Sequence, residues 1–96
     1  MESTLEMKLT RLAGFFKALG DETRLKILYF IKDGEKCQCE IVSHIGLSQP
    51  AVSRHMQLLV YNGLLKLKRK ENKRFYSLTE DAKRVLFGDT VKGLLE

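Results

Sequence analysis

Long apolar runs and biased repeats are absent from this chain of 96 residues, and proline occurs only once. No apolar run approaches the length of a membrane-spanning helix. Charged side chains occur early in the chain, where a signal peptide needs an unbroken apolar core: Glu2, Glu6, Lys8 and Arg11. We therefore expect one globular domain, residues 1–96, located in the cytoplasm and with no membrane partner.

Cysteine is also scarce. The chain has only Cys37 and Cys39, with Gln38 between them. Thiols stay reduced in the cytoplasm, and a bridge between such near neighbours would close a very small, strained ring. The pair therefore favours metal binding or redox sensing over a structural disulfide. Because soft ions prefer thiolate ligands, Cys37 and Cys39 are the candidate metal ligands.

The sequence also lacks the features of several common enzyme classes. Its cysteine pair does not have the CxxC spacing of thioredoxin-like proteins, and no acid or base is clearly paired with either thiol. It contains no phosphate-binding glycine loop and no set of catalytic carboxylates. We therefore expect no catalytic residues and a protein that is not an enzyme.

Positive charge is present in excess, and it is concentrated in one segment. The net charge is +5, and residues 63–78 carry six basic side chains against the single acid Glu71. The remaining residues hold eleven basic and eleven acidic side chains. Such a local excess is typical of a segment that contacts a polyanion such as nucleic acid.

The spacing of apolar residues predicts a mainly α-helical fold with one small β-hairpin. Apolar residues at alternating steps of four and three predict a first amphipathic helix: Leu5, Leu9, Leu12, Phe16 and Leu19. Gly20 ends this helix, and Asp21 is placed to cap a second helix over residues 22–32. Thr79 is similarly placed to begin a last helix, which Gly88 interrupts.

The middle of the chain predicts a helix-turn-helix followed by a wing. Residues 40–45 suit a short third helix ending at Gly46, and Ser48 is placed to cap a longer fourth helix. Residues 64–78 then alternate apolar and basic side chains around a charged tip, as a β-hairpin does. We expect the helix-turn-helix at about residues 39–62, with this hairpin as the wing.

Hydrogen-bonding and basic side chains mark the expected DNA-binding surface. The outer face of the fourth helix offers amide and hydroxyl groups that can read base edges, and Arg54 can reach guanine or phosphate. Cations of the wing would neutralise phosphates and so supply affinity. The candidate DNA-binding residues are Ser48, Gln49, Ser53, Arg54, His55, Gln57, Lys68, Arg69, Lys70, Lys73 and Arg74. For His55, packing at the edge of the helix is an equal alternative.

Four segments together resemble the ArsR/SmtB family, the arsenic-repressor family of winged helix-turn-helix transcriptional repressors. They are, in chain order, ALGDETRLKIL, CQCEIV, LSQPAVSRHMQLLVYNGLL and RFYSLT. The resemblance implies a repressor that binds an imperfect inverted repeat in double-stranded DNA and is released by an effector. It also implies a homodimer through the first and last helices, with the interface residues Leu5, Leu9, Leu12, Phe16, Val85 and Leu86.

The cysteine pair resembles the Cys-x-Cys motif with which metal-sensing members of this family bind arsenite, antimonite, cadmium or lead. Arsenic sensors usually add a third cysteine where this chain has Ile41 and Val42, and cadmium sensors add cysteines from an N-terminal arm, here MESTLEM. The zinc site that other members carry on the last helix is also missing, because both histidines precede residue 56. A metal or metalloid ion is thus expected only as an effector, and none is required for folding.

Three interpretations of the pair stay open. The first is release from DNA by a thiophilic ion, with Glu40 and His44 as the nearest further ligand candidates. The second is thiol oxidation, and the third is inert packing of two small apolar side chains. Beyond the pair, the remaining alternative is an effector-independent winged-helix module that binds DNA or protein.

Overall fold

The computed structural model describes residues 4–96 as six α-helices and three β-strands around one core. In chain order the elements are α1 (Leu5–Leu19), α2 (Glu22–Phe30), β1 (Lys36–Cys37), α3 (Gln38–Ile45), α4 (Gln49–Tyr61), β2 (Leu65–Lys70), β3 (Lys73–Leu78), α5 (Glu80–Leu86) and α6 (Asp89–Leu95). This is the mainly α-helical fold with a β-hairpin that the sequence predicts. Within residues 4–96, no helix combines the length and the apolar character needed to cross a bilayer.

Side-chain caps begin the helices at the predicted positions. The carboxylate of Asp21 accepts a hydrogen bond from the backbone N–H of Arg24 (3.0 Å), and the hydroxyl of Ser48 accepts one from Ala51 (3.3 Å). Thr79 caps α5 in the same way. These contacts satisfy amide groups that have no partner within the first turn of a helix. The caps predicted at Asp21, Ser48 and Thr79 are therefore confirmed.

Two helix boundaries differ from the prediction. Helix α2 ends at Phe30 rather than at residue 32, because the chain turns directly after it. Helix α3 begins at Gln38 rather than at residue 40, because Cys37 acts as its N-cap. The cysteine pair therefore lies across the start of this helix.

The three strands form one antiparallel sheet in the order β1-β3-β2. Strands β2 and β3 form the predicted hairpin, whose tip is a two-residue turn at Glu71 and Asn72 with φ of 50° and 63°. Two successive left-handed residues match the twist of the flanking strands. The sequence does not predict β1, because the two residues Lys36 and Cys37 are too few to show an alternating pattern.

The core is built around α2, α3 and α4 and is closed by the sheet and α5. Its fully buried side chains include Ile27, Leu28, Ile41, Val52, Met56, Leu59 and Leu64. The inner stripe predicted for the fourth helix is thus buried at Val52, Met56 and Leu59, whereas Val60 is half-buried. Burial of this stripe decides which face of α4 is turned toward solvent.

Leu86 also lies in this core, with only 3% of its surface exposed. A side chain covered by its own chain has little surface left to give to a second subunit. The assignment of Leu86 to a subunit interface is therefore corrected, because this residue packs within the subunit. The neighbouring Val85 is half-buried.

Removing the cap at Asp21 is expected to weaken this fold. The hydrogen bond from the N–H of Arg24 lowers the pKa of Asp21; burial opposes this effect, and the charge of Arg24 adds to it. Because the pKa is lowered in the folded state, the stabilisation is present above the ordinary carboxyl pKa and is lost as pH falls through the depressed value. We expect Asp21→Ala to lower the free energy of unfolding by about 1 kcal/mol at neutral pH.

Urea denaturation at neutral and acidic pH tests this expectation. Asp21→Asn is the matched control, because asparagine caps helices about as well as aspartate but does not titrate. It should keep most of the stability at neutral pH and lose the acid-dependent part. Equal stability of wild type and Asp21→Ala at neutral pH would contradict the role of the cap.

Candidate nucleic-acid interface

Helices α3 and α4 form the helix-turn-helix, with a tight turn between them. Gly46 ends α3 with a left-handed φ of 78°, a conformation that glycine adopts without strain. Pro50 lies in the first turn of α4, where the amide groups lack helical partners. This turn and the buried stripe of α4 together hold the outer face of α4 toward solvent.

The outer face of α4 carries the side chains that the sequence assigns to base reading. Gln49, Arg54 and Gln57 are exposed, and Ser53 is half-buried. Ser48 directly precedes α4, and its hydroxyl oxygen is used by the helix cap. Helix α4 contains no carboxylate, so its outer face can hydrogen-bond to base edges without repelling phosphates.

His55 lies at the edge of α4, in contact with α2. The residue is half-buried, and its Nδ1 lies 3.3 Å from Nη1 of Arg24. The contact anchors the ring to the rest of the protein through one of its two nitrogens.

Most of the DNA-binding cations predicted in the wing are exposed to solvent, and no ion pair is found for them within residues 4–96. These exposed cations are Lys68, Arg69, Lys73 and Arg74. Lys70 is engaged by its own chain: its Nζ lies 3.0 Å from Oε1 of Glu35 and 4.9 Å from the centroid of the Phe75 ring. The sequence does not predict this engagement, since Glu35 lies far from Lys70 along the chain.

One groove joins the start of α4, the cysteine pair and the tip of the wing. Its lining includes Cys37, Cys39, Gln49, Asn72, Lys73 and Arg74. The first residue of α4 and the wing tip therefore face the same side of the molecule. A duplex that contacts the cations of the wing can approach α4 from that side.

The cysteine pair is joined by a disulfide, which differs from the expectation of two separate thiols. The difference arises because the chain bends into α3 at this point and brings the two Cα atoms to 5.3 Å from each other. This separation lies within the ordinary range for bridged cysteines. Cys37 is buried, whereas Cys39 is exposed.

Cys37 also caps α3. Its Sγ accepts a hydrogen bond from the backbone N–H of Cys39 (3.2 Å), and its own N–H donates to Oε1 of Glu40 (3.3 Å). The two bonds form a capping box in which sulfur replaces the usual hydroxyl oxygen. The chemical state of Cys37 therefore affects the start of the helix-turn-helix directly.

The segment that carries the pair is also bonded to the wing. Strand β1 pairs with β3, with Cys37 opposite Phe75. The hydroxyl of Tyr76 donates to Oε1 of Gln38 (3.2 Å). Together with the ion pair of Lys70, these contacts connect the cysteine pair to both strands of the wing.

A third metal ligand is not provided by residues 4–96, which contain no cluster of three or more histidine, cysteine, aspartate or glutamate side chains suited to a metal ion. The two candidates from the sequence are engaged elsewhere. Glu40 accepts the N–H of Cys37, and the ring of His44 stacks on Phe30 with centroids 3.9 Å apart. The described part of one chain thus offers two sulfur ligands, and only after the disulfide is reduced. The first three residues of the MESTLEM arm lie outside the described residues.

A stripe of apolar side chains on α1 is exposed in the single chain. Half or more of the surface is exposed at each of Leu5, Leu9, Leu12 and Phe16. Helix α6 adds Leu94 and Leu95, each more than two thirds exposed, which the sequence-based assignment of interface residues omits. Their only signal in the sequence is a weak apolar repeat after Gly88. Exposed apolar patches of this kind mark interaction surfaces.

Comparison with known proteins identifies relatives of this chain. Residues 21–66 match a family model described as "Bacterial regulatory protein, arsR family". The chain is 48% identical over 66 residues to the "probable mercury resistance operon repressor" of Streptomyces lividans. This aligned region covers 69% of this chain and 53% of that protein. It is 37% identical over 75 residues to the arsenical resistance operon repressor of Staphylococcus xylosus. Here the aligned region covers 78% of this chain and 72% of that protein. The chain thus spans about half the length of the first of these relatives.

A solved structure has the same fold. It is a homodimeric winged helix-turn-helix DNA-binding domain from Mycobacterium bovis, described as a possible ArsR-family transcriptional regulator. The two structures agree with a TM-score of 0.86 and 26% sequence identity, over 97% of this chain and 87% of that one. These matches confirm the resemblance seen in the sequence. The chain belongs to the ArsR family of bacterial regulatory proteins and has the winged helix-turn-helix fold of that family.

Proposed function

We propose that this chain is a homodimeric repressor that binds double-stranded DNA as a single winged helix-turn-helix domain and leaves its operator when Cys37 and Cys39 react. The observation that carries the proposal is the shared groove. It brings Gln49 of α4, the cysteine pair and the wing residues Lys73 and Arg74 to one face of the molecule. Base-reading groups, phosphate-binding cations and reactive sulfurs would then lie beside the same duplex.

The side chains on this face divide into two tasks. Gln49, Ser53 and Gln57 of α4 offer amide and hydroxyl groups for base edges in a major groove. The exposed cations of the wing would lie along the phosphates and supply affinity for any sequence. Helix α4 would therefore choose the operator, and the wing would hold the duplex.

A second copy of the chain is proposed to cover the apolar stripe of α1. Burial of such a stripe is favourable by about 25 cal/mol per Å² of apolar surface removed from water. The Mycobacterium bovis domain of the same fold is described as homodimeric, which supports this occupant. Two subunits related by a twofold axis would present two recognition helices to two half-sites, as an imperfect inverted repeat requires.

A thiophilic ion is the first candidate for the releasing signal. Its support is the pair of sulfurs at the start of α3 together with the two relatives described as mercury and arsenical resistance operon repressors. The positive end of the α3 dipole favours the thiolate form, which is the form that binds soft ions. Cys37 and Cys39, once reduced, would hold the ion, and any further ligand would come from outside residues 4–96 of the same chain.

Oxidation of the pair is the second candidate, and the disulfide in the structure supports it. The DNA-bound form would then carry two thiols, and an oxidant such as peroxide would take two electrons and two protons as the bridge forms. Either signal changes the sulfur that caps α3 and the end of strand β1, which is bonded to the wing.

Titration of DNA binding distinguishes these signals. The reduced protein is bound to a duplex obtained by in vitro selection and is then treated with arsenite, mercury(II) or hydrogen peroxide. We expect at least one reagent to weaken binding by the wild type about tenfold or more, a coupling of ordinary size for an effector. Cys37→Ser/Cys39→Ser should keep its affinity under all three, because serine caps helices well but forms neither a thiolate nor a disulfide.

Recovery of binding identifies the chemistry. A competing dithiol should restore binding after an ion, and a thiol reductant should restore it after peroxide. Thiol titration reports on this pair alone, because the chain contains no other cysteine. Equal responses of wild type and the double-serine variant to every reagent would contradict sensing at the pair.

A further inference from the structure

The side chain of Arg24 joins three helices. Its Nε donates to the carbonyl of Ala18 (2.7 Å) and its Nη2 to the carbonyl of Lys17 (3.2 Å), both in the last turn of α1. Its Nη1 lies 3.3 Å from Nδ1 of His55 on α4. Arg24 itself belongs to the first turn of α2, where its backbone N–H donates to Asp21.

The contacts with α1 suit a guanidinium. The last carbonyls of a helix have few partners within it and form the negative end of its dipole. A guanidinium carries five N–H donors in one plane, so it can bond two such carbonyls and still donate to another group. Arg24 therefore holds the end of α1 against α2 while it reaches α4.

The contact with His55 decides where the ring proton lies. A guanidinium only donates, so Nδ1 is the acceptor in this contact and the proton of the neutral ring is on Nε2. A neutral ring with its proton on Nδ1 would place two donors face to face at 3.3 Å. The Nε2–H group is then the donor that His55 has for a partner outside the protein.

We propose that Arg24 is a positioning residue for DNA binding, which holds His55 as an Nε2–H donor to a DNA phosphate and ties α4 to the end of α1. The inference rests on the proposed function, because a phosphate contact needs a bound duplex. Helix α1 also carries the exposed apolar stripe, so the same guanidinium links the proposed subunit interface to the recognition helix.

Nitrogen-15 NMR of the histidine rings tests the first part without DNA. In the wild type, Nδ1 of His55 should show the signature of a hydrogen-bonded acceptor and Nε2 should carry the proton. Arg24→Met, which keeps the length but has no donor, should lose the Nδ1 signature. His44, whose ring stacks on Phe30, is the internal reference. If Arg24→Met does not fold, Arg24→Lys replaces it, because lysine lacks the planar set of donors.

Two substitutions of His55 test the second part through affinity for a selected duplex. His55→Asn keeps an acceptor near the Nδ1 position but has no donor at the Nε2 position, and His55→Gln does the reverse. We expect Arg24→Met and His55→Asn each to weaken binding roughly tenfold, as loss of a charge-assisted hydrogen bond does. His55→Gln should retain more affinity than His55→Asn. The double variant Arg24→Met/His55→Asn should bind little worse than either single variant, because the two residues act in series.

The opposite results would overturn the proposal. An unchanged Nδ1 signature in the Arg24 variants, or losses of affinity that simply add, would leave Arg24 with a role in stability alone. If the wild type binds no duplex, the proposed function fails, while the NMR result still decides whether Arg24 holds the ring.

Discussion

Replacing the wing cations Lys68, Arg69, Lys73 and Arg74 by glutamine is expected to weaken duplex binding about a hundredfold or more near physiological salt. Each lost phosphate contact should also make the negative slope of log affinity against log salt shallower by about 0.9. The loss should be the same for selected and unrelated duplexes, because phosphates carry no sequence information. Fluorescence anisotropy over a series of salt concentrations measures both quantities.

The matched control removes the same charge from elsewhere on the surface. Lys26, Lys32, Lys83 and Lys92 are exposed and lie outside α4 and the wing, so their replacement by glutamine should change affinity only slightly. Equal losses of duplex affinity in the two quadruple variants would mean that the overall charge of the protein, and not the wing, determines the affinity. Duplex binding that is absent even at low salt would instead favour the alternative of a protein-binding module.

Placing charges in the apolar stripe of α1 is expected to have the second large effect. Leu12→Glu/Phe16→Glu should convert the proposed dimer into a monomer at micromolar concentration, because two buried carboxylates in each subunit would have to be desolvated without partners. Affinity for a duplex with two half-sites should then fall about a thousandfold, because each half-site is bound independently. Sedimentation or light scattering gives the oligomeric state, and anisotropy gives the affinity.

Thr10→Glu is the control for this pair of substitutions. Thr10 is exposed on the same helix but lies off the apolar stripe, so a carboxylate there should leave the dimer intact. A Leu12→Glu/Phe16→Glu variant that remains dimeric would remove α1 from the interface. The exposed leucines of α6 would then be the next surface to test.

The cysteine pair contacts two parts of the proposed DNA-binding surface, so a chemical change at the pair would affect both. Cys37 caps α3, the first helix of the helix-turn-helix, and also lies on β1, which pairs with β3 of the wing. Loss of a helix cap costs about 1 kcal/mol, which is already comparable to a coupling free energy between an effector and DNA. Under the proposed function, a change at this residue would therefore act on base reading and phosphate binding together.

Local features of the fold were accessible in the sequence because their causes are local. Helix starts at Asp21, Ser48 and Thr79 follow from side chains that bond their own next turn. The hairpin follows from alternating side chains around a charged tip. The polar outer face of α4 follows from a 3.6-residue period, which separates the buried stripe from the polar one.

Other features depend on contacts between distant residues and have no local signal. Strand β1 exists because β3 supplies its pairing partners. Lys70 forms an ion pair because the fold brings Glu35 close to it. Leu86 packs within the subunit although the family resemblance implied a place at the interface. A pattern of apolar residues shows that a face is covered, but it does not show by which chain.

The sequence by itself determined the helices, the wing, its concentrated positive charge and the resemblance to the ArsR family, because periodicity, capping and composition act over a few residues. Only the tertiary structure decided that Gln49, the cysteine pair and the wing tip share a groove, and that Arg24 reaches His55 and the end of α1. These contacts join residues far apart in the chain, and they form only when the burial of one common core brings the helices and the sheet together.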